Sequence, residues 1–143
     1  MKITELKTKD EMLGVFDLIK ELYPDMTVEE YSEQLELMIP HNYSMLSVNE
    51  GNKNVGLAGL WIGNKLWCGK YLEIDHIVVS KEWRSKGVGA MIIDYAKTLA
   101  TTRGCKSLGL DSFTHNHDSH RFFYREGFIA KGFHFVYEFN GLD

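Results

Sequence analysis

The sequence predicts a three-layer α+β (α/β) fold, in which a mixed central sheet carries helices on both faces. Three observations lead there. The chain has 143 residues, 44% of them hydrophobic and 25% charged, with 13 glycines and 2 prolines, the composition of an ordinary globular domain able to bury a full core. Apolar residues recur with the helical period in some segments and as short apolar runs in others. The stretch from 66 to 112 reads strand, helix, strand, and such a unit demands a parallel crossover. No internal repeat, low-complexity tract or linker interrupts the chain, so residues 1–143 are read as a single domain.

Lys2 to Lys7 reads as an opening strand. From Asp10 to Leu22, the apolar residues Met12, Leu13, Val15, Phe16, Leu18, Ile19 and Leu22 keep the helical period, and Pro24 ends the helix. Thr27, with Glu30 three positions on, resembles a capping box opening a second helix that runs to about Ile39 before Pro40. Tyr43 to Asn49 and Asn54 to Ile62 form a hairpin around Glu50-Gly51-Asn52. After Gly63-Asn64-Lys65, a strand from about Leu66 to Ser80 ends in Ile77-Val78-Val79. A helix from Gly87 to about Thr102 places Val88, Met91, Ile92, Tyr95 and Leu99 on one stripe and stops at Gly104. Ser107 to Ser112 is a strand, His117 to Glu126 a short helix and Phe133 to Phe139 a final aromatic strand, giving the order βααβββαβαβ. An exposed edge at Phe133-His134-Phe135-Val136-Tyr137 is a place where two subunits could join, and a homodimer is the oligomeric expectation.

Composition also excludes classes of function. Cys68 and Cys105 cannot make a disulfide framework and fit a reducing compartment. No run approaches the ~18 apolar residues needed to cross a bilayer, so a cytoplasmic protein without a membrane partner is expected. Net charge is −4, but residues 1–50 carry 4 Lys/Arg against 11 Asp/Glu while residues 81–106 carry 6 against 2. This segregation reads either as solvated helix faces or as an anionic ligand on the central segment and a cationic one near the N-terminal third. The acidic balance argues against nonspecific nucleic-acid binding.

The most specific local signal is Val79-Ser80-Lys81-Glu82-Trp83-Arg84-Ser85-Lys86-Gly87-Val88-Gly89, set between an apolar strand and a helix. Backbone N–H groups at a helix start lack intrahelical partners, and glycines at 87 and 89 let that backbone approach a bulky anion. A pyrophosphate suits such a turn; a ligand-free glycine turn is the alternative. The dinucleotide fingerprint G-x-G-x-x-G fails at Ile92, and the G-K-[ST] of the P-loop is absent.

Arg84-x-x-Gly87-x-Gly89 after a Val-rich strand resembles motif A of the GNAT superfamily of acyl-CoA-dependent N-acetyltransferases. Asn116 and Ser119 followed by Phe122, Gly127 and Phe128 resemble its motif B. The resemblance implies a mostly antiparallel sheet with a V-shaped splay between its middle strands, and acetyl-CoA as cosubstrate. It implies that the backbone of Ile77, Val78 and Val79 pairs with the pantetheine arm. The amides from Arg84 through Ser85, Lys86, Gly87, Val88 and Gly89 to Ala90 would hold the pyrophosphate, with Arg84 and Lys86 adding positive charge, and Asn116 would bond the pantetheine region.

Acyl transfer to an amine needs a neutral nucleophile. An alkylamine with a pKa near 10.4 is roughly one part in two thousand neutral at pH 7, so deprotonation needs the most help. Glu73 and Asp75, at i and i+2 on one strand, share a face, and like charges that close push one carboxyl upward toward what a base requires. They also match the positions at which family members carry a base, Glu73 first and through a water; solvated or ion-paired carboxylates are the alternative. Alternation puts His76 on the other face, as a satisfied sheet histidine. By the resemblance, a backbone N–H at a bulge, that of Ile77 or its neighbour, would polarise the thioester oxygen. Many family members place a tyrosine four residues before the motif B glycine. Here Phe123 stands there and Tyr124 follows it, rotated by about 100°, so the thiolate leaves unaided or uses Tyr124. Plain core packing is the other reading of Phe122, Phe123 and Tyr124.

His117 and His120 could share a helix face, but no further ligand stands at a known metal spacing, and no metal is expected. The helix around them also resembles that of aminoalkylphosphonate N-acetyltransferases and some aminoglycoside-type relatives. Glu21, Tyr23, Asp25 and Glu29 favour a polycationic or simple amine as acceptor. Trp61, Trp67 and Tyr71 read either as an aromatic wall or as sheet core. The expectation is therefore an N-acetyltransferase acting on a primary amine of a small molecule by direct attack in a ternary complex. A protein or peptide N-acetyltransferase and a non-catalytic acyl-CoA-binding module are the alternatives.

Overall fold

A computed structural model describes residues 1–140. The chain forms two compact units, Met1–Leu110 and Asp111–Asp143. The first contains β1 (Lys2–Leu6), α1 (Lys9–Leu13), α2 (Phe16–Leu22), α3 (Val28–Met38), β2 (Tyr43–Glu50), β3 (Lys53–Lys65), β4 (Gly69–Val79), α4 (Val88–Thr102) and β5 (Ser107–Leu110). The sheet order is β1-β2-β3-β4-β5. The first three pairings are antiparallel, and β4 pairs with β5 in parallel across α4, as the crossover rule requires.

The expected helix over 10–22 is two helices. Thr8 opens α1 with a reciprocal capping box to Glu11, which satisfies two of the four free amides of a helix start. Gly14 closes α1, its N–H reaching the Asp10 and Met12 carbonyls, and Val15 leaves helical backbone at φ −110°, ψ 16°. Thr27 caps α3 as expected, its hydroxyl accepting the Glu30 N–H at 3.1 Å.

The sheet is covered on both faces. On one, Leu18, Ile19 and Leu35 of the N-terminal helices bury against Met45, Leu57 and Val78. On the other lies α4, so close that a β carbon on Gly56 would fall 2.7 Å from Val88 and 3.3 Å from Ile92. Its buried stripe is Val88, Ile92, Ile93, Ala96 and Ala100, whereas the expected Tyr95 is exposed. Small alanines admit the sheet closely, so they face it and the large tyrosine does not.

Two irregularities shape β4. Gly59 faces His76 and Leu60 faces Ile74, leaving Asp75 as the extra residue of a β-bulge. The parallel ladder runs only from Tyr71–Ser107 to Ile74–Leu110. From Asp75 to Val79, that side of β4 has no strand partner among the described residues. β4 and β5 therefore part beyond Ile74 and Leu110, the V-shaped splay expected of the sheet.

In the second unit, α5 (His117–Arg125) is capped by Asn116, whose side-chain oxygen accepts the Ser119 N–H. Phe123 packs on Phe122 and Phe128 with centroids 5.3 and 5.7 Å apart. The strand expected over Phe133–Phe139 is not formed. No strand among the described residues pairs with this segment, and extended chain gains ladder hydrogen bonds only against a partner. Its rings touch each other instead, Phe133 with Phe135 and Tyr137 with Phe139. Among the described residues, no helix is long and apolar enough to cross a membrane.

Candidate active site

β4 passes into α4 through a 3-10 turn, Lys81–Trp83, and a loop in which Ser85 (φ 61°) and Gly87 (φ 84°) are left-handed. Gly87 is the N-cap and offers no capping side chain. The first intrahelical bond is Met91 N–H to the Gly87 carbonyl at 3.0 Å; among the described residues, no amide from Ser85 to Ala90 reaches a backbone acceptor before it. A β carbon built on Gly87 would meet nothing within 4 Å, so there is open space beside this residue. Six successive amides at the positive end of a helix suit a diphosphate.

The neighbouring charges are arranged around this turn. The Arg84 Nε donates to the Val79 carbonyl at 3.4 Å, and the Lys86 ammonium lies 5.1 Å from the Trp83 ring centre. Glu82 is neutralised by Lys53 at 2.5 Å, which holds its carboxyl below the usual 4.5. Beside Gly87 and Ala90 opens a groove of about 480 Å³ that runs along α4 past Asp94 to Thr98 and Ile3.

Strand register assembles the second part. Tyr43, Trp61, Glu73 and Gly109 form one cross-strand row, and Met45, Gly59 and His76 form another; directly paired residues face the same side. This is the face of the N-terminal helices, since Tyr43 and Met45 belong to their core. Glu73 is half-buried and Asp75 exposed. Neither makes an ion pair or hydrogen bond among the described residues, which sets aside the ion-paired reading. Gly109, the neighbour of Glu73 on β5, leaves open space on that face.

The bulge overturns the expectation for His76. The extra residue shifts the alternation, so His76 faces the same side as Glu73. Its Nε2 lies 2.7 Å from the Tyr43 hydroxyl, while its Nδ1 is buried without a partner. Burial lowers the imidazole from its usual 6.5, and Asp75 opposes that shift. Burial pushes the Tyr43 hydroxyl far up, with further push from Asp75, Tyr31 and Tyr23. Tyr23, ending α2, is raised by burial and then by Asp75. Room for the pair comes from Gly59, where a β carbon would fall 2.3 Å from His76 Nε2 and 2.5 Å from the Tyr43 hydroxyl. Sequence reasoning missed Tyr43 and the side His76 faces; a glycine in the middle of an apolar strand was the available signal.

Of the expected aromatic wall, Trp61 lies tilted against Tyr43, ring centroids 4.9 Å apart. Tyr71 covers Gly63, and Trp67 sits 75% exposed in the β3–β4 turn. Glu21, Asp25 and Glu29 are exposed around the α2–α3 junction. The other two candidates belong to the second unit: Asn116 with its oxygen committed to capping α5, and Tyr124 at 60% exposure. His120 bonds the Phe113 carbonyl at 2.8 Å, and the His117 ring meets it edge on.

A model of the acetyltransferase (GNAT) family matches residues 12–128. The chain is 28% identical over 120 residues to the uncharacterised N-acetyltransferase YhdJ of Bacillus subtilis (strain 168), covering 83% of this chain and 84% of that protein. Among solved structures, the aminoglycoside N-acetyltransferase AAC(6')-Iy in complex with CoA superposes with a TM-score of 0.81 at 17% identity, over 96% of this chain and 94% of that one. A GNAT family acetyltransferase of Staphylococcus aureus superposes with a TM-score of 0.76 at 20% identity, over 96% and 99%. At such identities the likeness concerns the fold.

Proposed function

The chain belongs to the GNAT acetyltransferase family, and from that membership we propose that it transfers the acetyl group of acetyl-CoA to a primary amine of a small molecule, by direct attack in a ternary complex. We read both units as one acetyltransferase domain, because the family match spans both. The observation that carries the reading is the run of unpartnered amides from Ser85 to Ala90 with open space at Gly87. These residues fit the coenzyme. The amides suit its diphosphate, Arg84 and Lys86 add positive charge, and the open side of β4 at Ile77, Val78 and Val79 suits the pantetheine arm as an added strand. With its oxygen on the Ser119 N–H, Asn116 has its amide nitrogen to offer that arm. Acetyl-CoA, when bound, supplies an activated thioester with a good leaving group.

Glu73 is the base that takes the proton of the incoming ammonium, through a water, and its freedom from ion pairs leaves it available. Asp75 adds negative charge that draws a cationic acceptor. A main-chain N–H at the bulge, that of Ile77 or its neighbour, is the donor for a carbonyl oxygen. A thiol with a pKa near 8.5 departs as thiolate with little help, so Tyr124 is an acid the reaction can do without. The rim of Glu21, Asp25 and Glu29, with Tyr23 and Trp61, favours a polyamine or simple amine. The free Cys68 and Cys105 support a reducing, cytoplasmic setting, and the exposed aromatics from Phe133 to Phe139 support a homodimer.

A turnover screen with acetyl-CoA across polyamines, aminoglycosides, aminophosphonates and peptides, read by free thiol release, tests this. Turnover of small amines is expected. Turnover of peptides alone would move the activity to protein substrates, and coenzyme binding without any turnover would leave an acyl-CoA-binding module.

A further inference from the structure

His76 and Tyr43 are absorbed neither by the coenzyme turn nor by Glu73, yet they place two polar groups at a buried point beside the bulge. Tyr43 is 4% exposed, and its hydroxyl meets His76 Nε2 at 2.7 Å. No other hydrogen-bond acceptor for that hydroxyl is found among the described residues, so it donates to Nε2 and the neutral imidazole carries its proton on Nδ1. That Nδ1–H is buried and unpartnered. A buried orphan donor is costly, and a pair held only for packing would be served better by apolar side chains. The sequence keeps Gly59 opposite, where any side chain would collide with both atoms. Asp75 is the exposed residue of the bulge and precedes His76 in the chain, close enough for its charge to act on the imidazole.

We propose that Tyr43 and His76 form a proton relay, a second outlet beside Glu73 for the proton that the acceptor amine must lose. This rests on the acetyl-transfer reading above. The step balances: an N–H bond of the substrate ammonium breaks and, through water, its proton reaches the Tyr43 oxygen. The Tyr43 O–H proton passes to Nε2, so tyrosine stays neutral, the amine keeps its lone pair and the imidazole becomes imidazolium. The Asp75 carboxylate stabilises that cation, and the proton returns to solvent by the reverse path. The titratable groups facing the pair are Asp75 and Glu73 on β4, Tyr31 from α3 and Tyr23 from the end of α2; β3 contributes Gly59 and Trp61, which do not titrate. The relay runs only while the imidazole is neutral. It closes as pH falls through the His76 value, which lies below the usual 6.5. Removing Asp75 removes a group that raises that value and moves the closure to still lower pH.

The test compares wild type with Tyr43→Phe, His76→Gln, Gly59→Ala and Asp75→Asn, each checked for folding by thermal unfolding. Reads are kcat against pH with the best amine, KM for acetyl-CoA, and the His76 titration by NMR. Tyr43→Phe and Gly59→Ala are expected to lower kcat about 10-fold or more with KM for acetyl-CoA unchanged. Tyr43→Phe in a Glu73→Gln background should remove most of the residual turnover. Asp75→Asn should shift the NMR titration of His76 and the acid limb of kcat together to lower pH. Folded Tyr43→Phe and His76→Gln proteins with wild-type kcat and pH profile would overturn the relay while leaving acetyl transfer standing. Absence of amine turnover in the wild type would instead defeat the underlying reading, and the relay with it.

Discussion

Gly87 is the residue on which the proposed coenzyme turn depends. At φ 84° with open space around a built β carbon, it is kept by conformation, not by crowding. Gly87→Ala is expected to cost about 1–2 kcal/mol of stability from the left-handed backbone alone, read by denaturant unfolding. Glu73→Gln is expected to lower kcat by about 10² to 10⁴-fold and reshape its pH profile while coenzyme affinity stays nearly constant; an unchanged rate would remove Glu73 from its role. The strand that carries Glu73 and Asp75 and the glycine turn after it were legible in the sequence, because an apolar run and turn residues mark them locally. His76 was not. One inserted residue at Asp75 reverses the side it faces, and a bulge is decided by pairing with β3, which no local pattern records.

Among the elements, α1 shows how much a short helix owes to its end. Thr8 and Glu11 satisfy each other's backbone amides, so Thr8→Ala is expected to cost about 1 kcal/mol, measured as a lowered Tm. Bonds from the Lys7 and Thr8 amides hold the Glu11 carboxyl below its usual 4.5. A depressed carboxyl contributes stability that is present above its unfolded value and lost as pH falls through the folded one. The acid side of the stability profile, below about pH 4.5, should therefore flatten in Glu11→Gln. The hairpin, the crossover and α4 were readable from period and turn residues. The break at Gly14 was not, because the apolar positions run through it unbroken. The aromatic stretch 133–139 carries strand-forming residues, but a strand exists only where another strand pairs with it.

At the scale of the whole molecule, charge is divided along the chain, net −7 over residues 1–50 and +4 over 81–106. The turn proposed for the coenzyme lies in the positive stretch and the acidic rim in the negative one, an arrangement that suits an anionic cosubstrate and the cationic acceptor proposed above. KM for acetyl-CoA is accordingly expected to rise between low and high ionic strength more than kcat changes, because screening weakens exposed charge; a salt-independent KM would show that backbone donors alone hold the coenzyme. Both charge blocks were visible in the sequence, but which strand rows bring Tyr43, Trp61 and Glu73 together was set by tertiary pairing. Isothermal titration of coenzyme A into the wild type and into Gly87→Trp bears most directly on the grip of the helix-start amides. Saturable heat in the wild type and its loss in the folded variant is the predicted result; no heat in the wild type, or equal affinity in both, would contradict it.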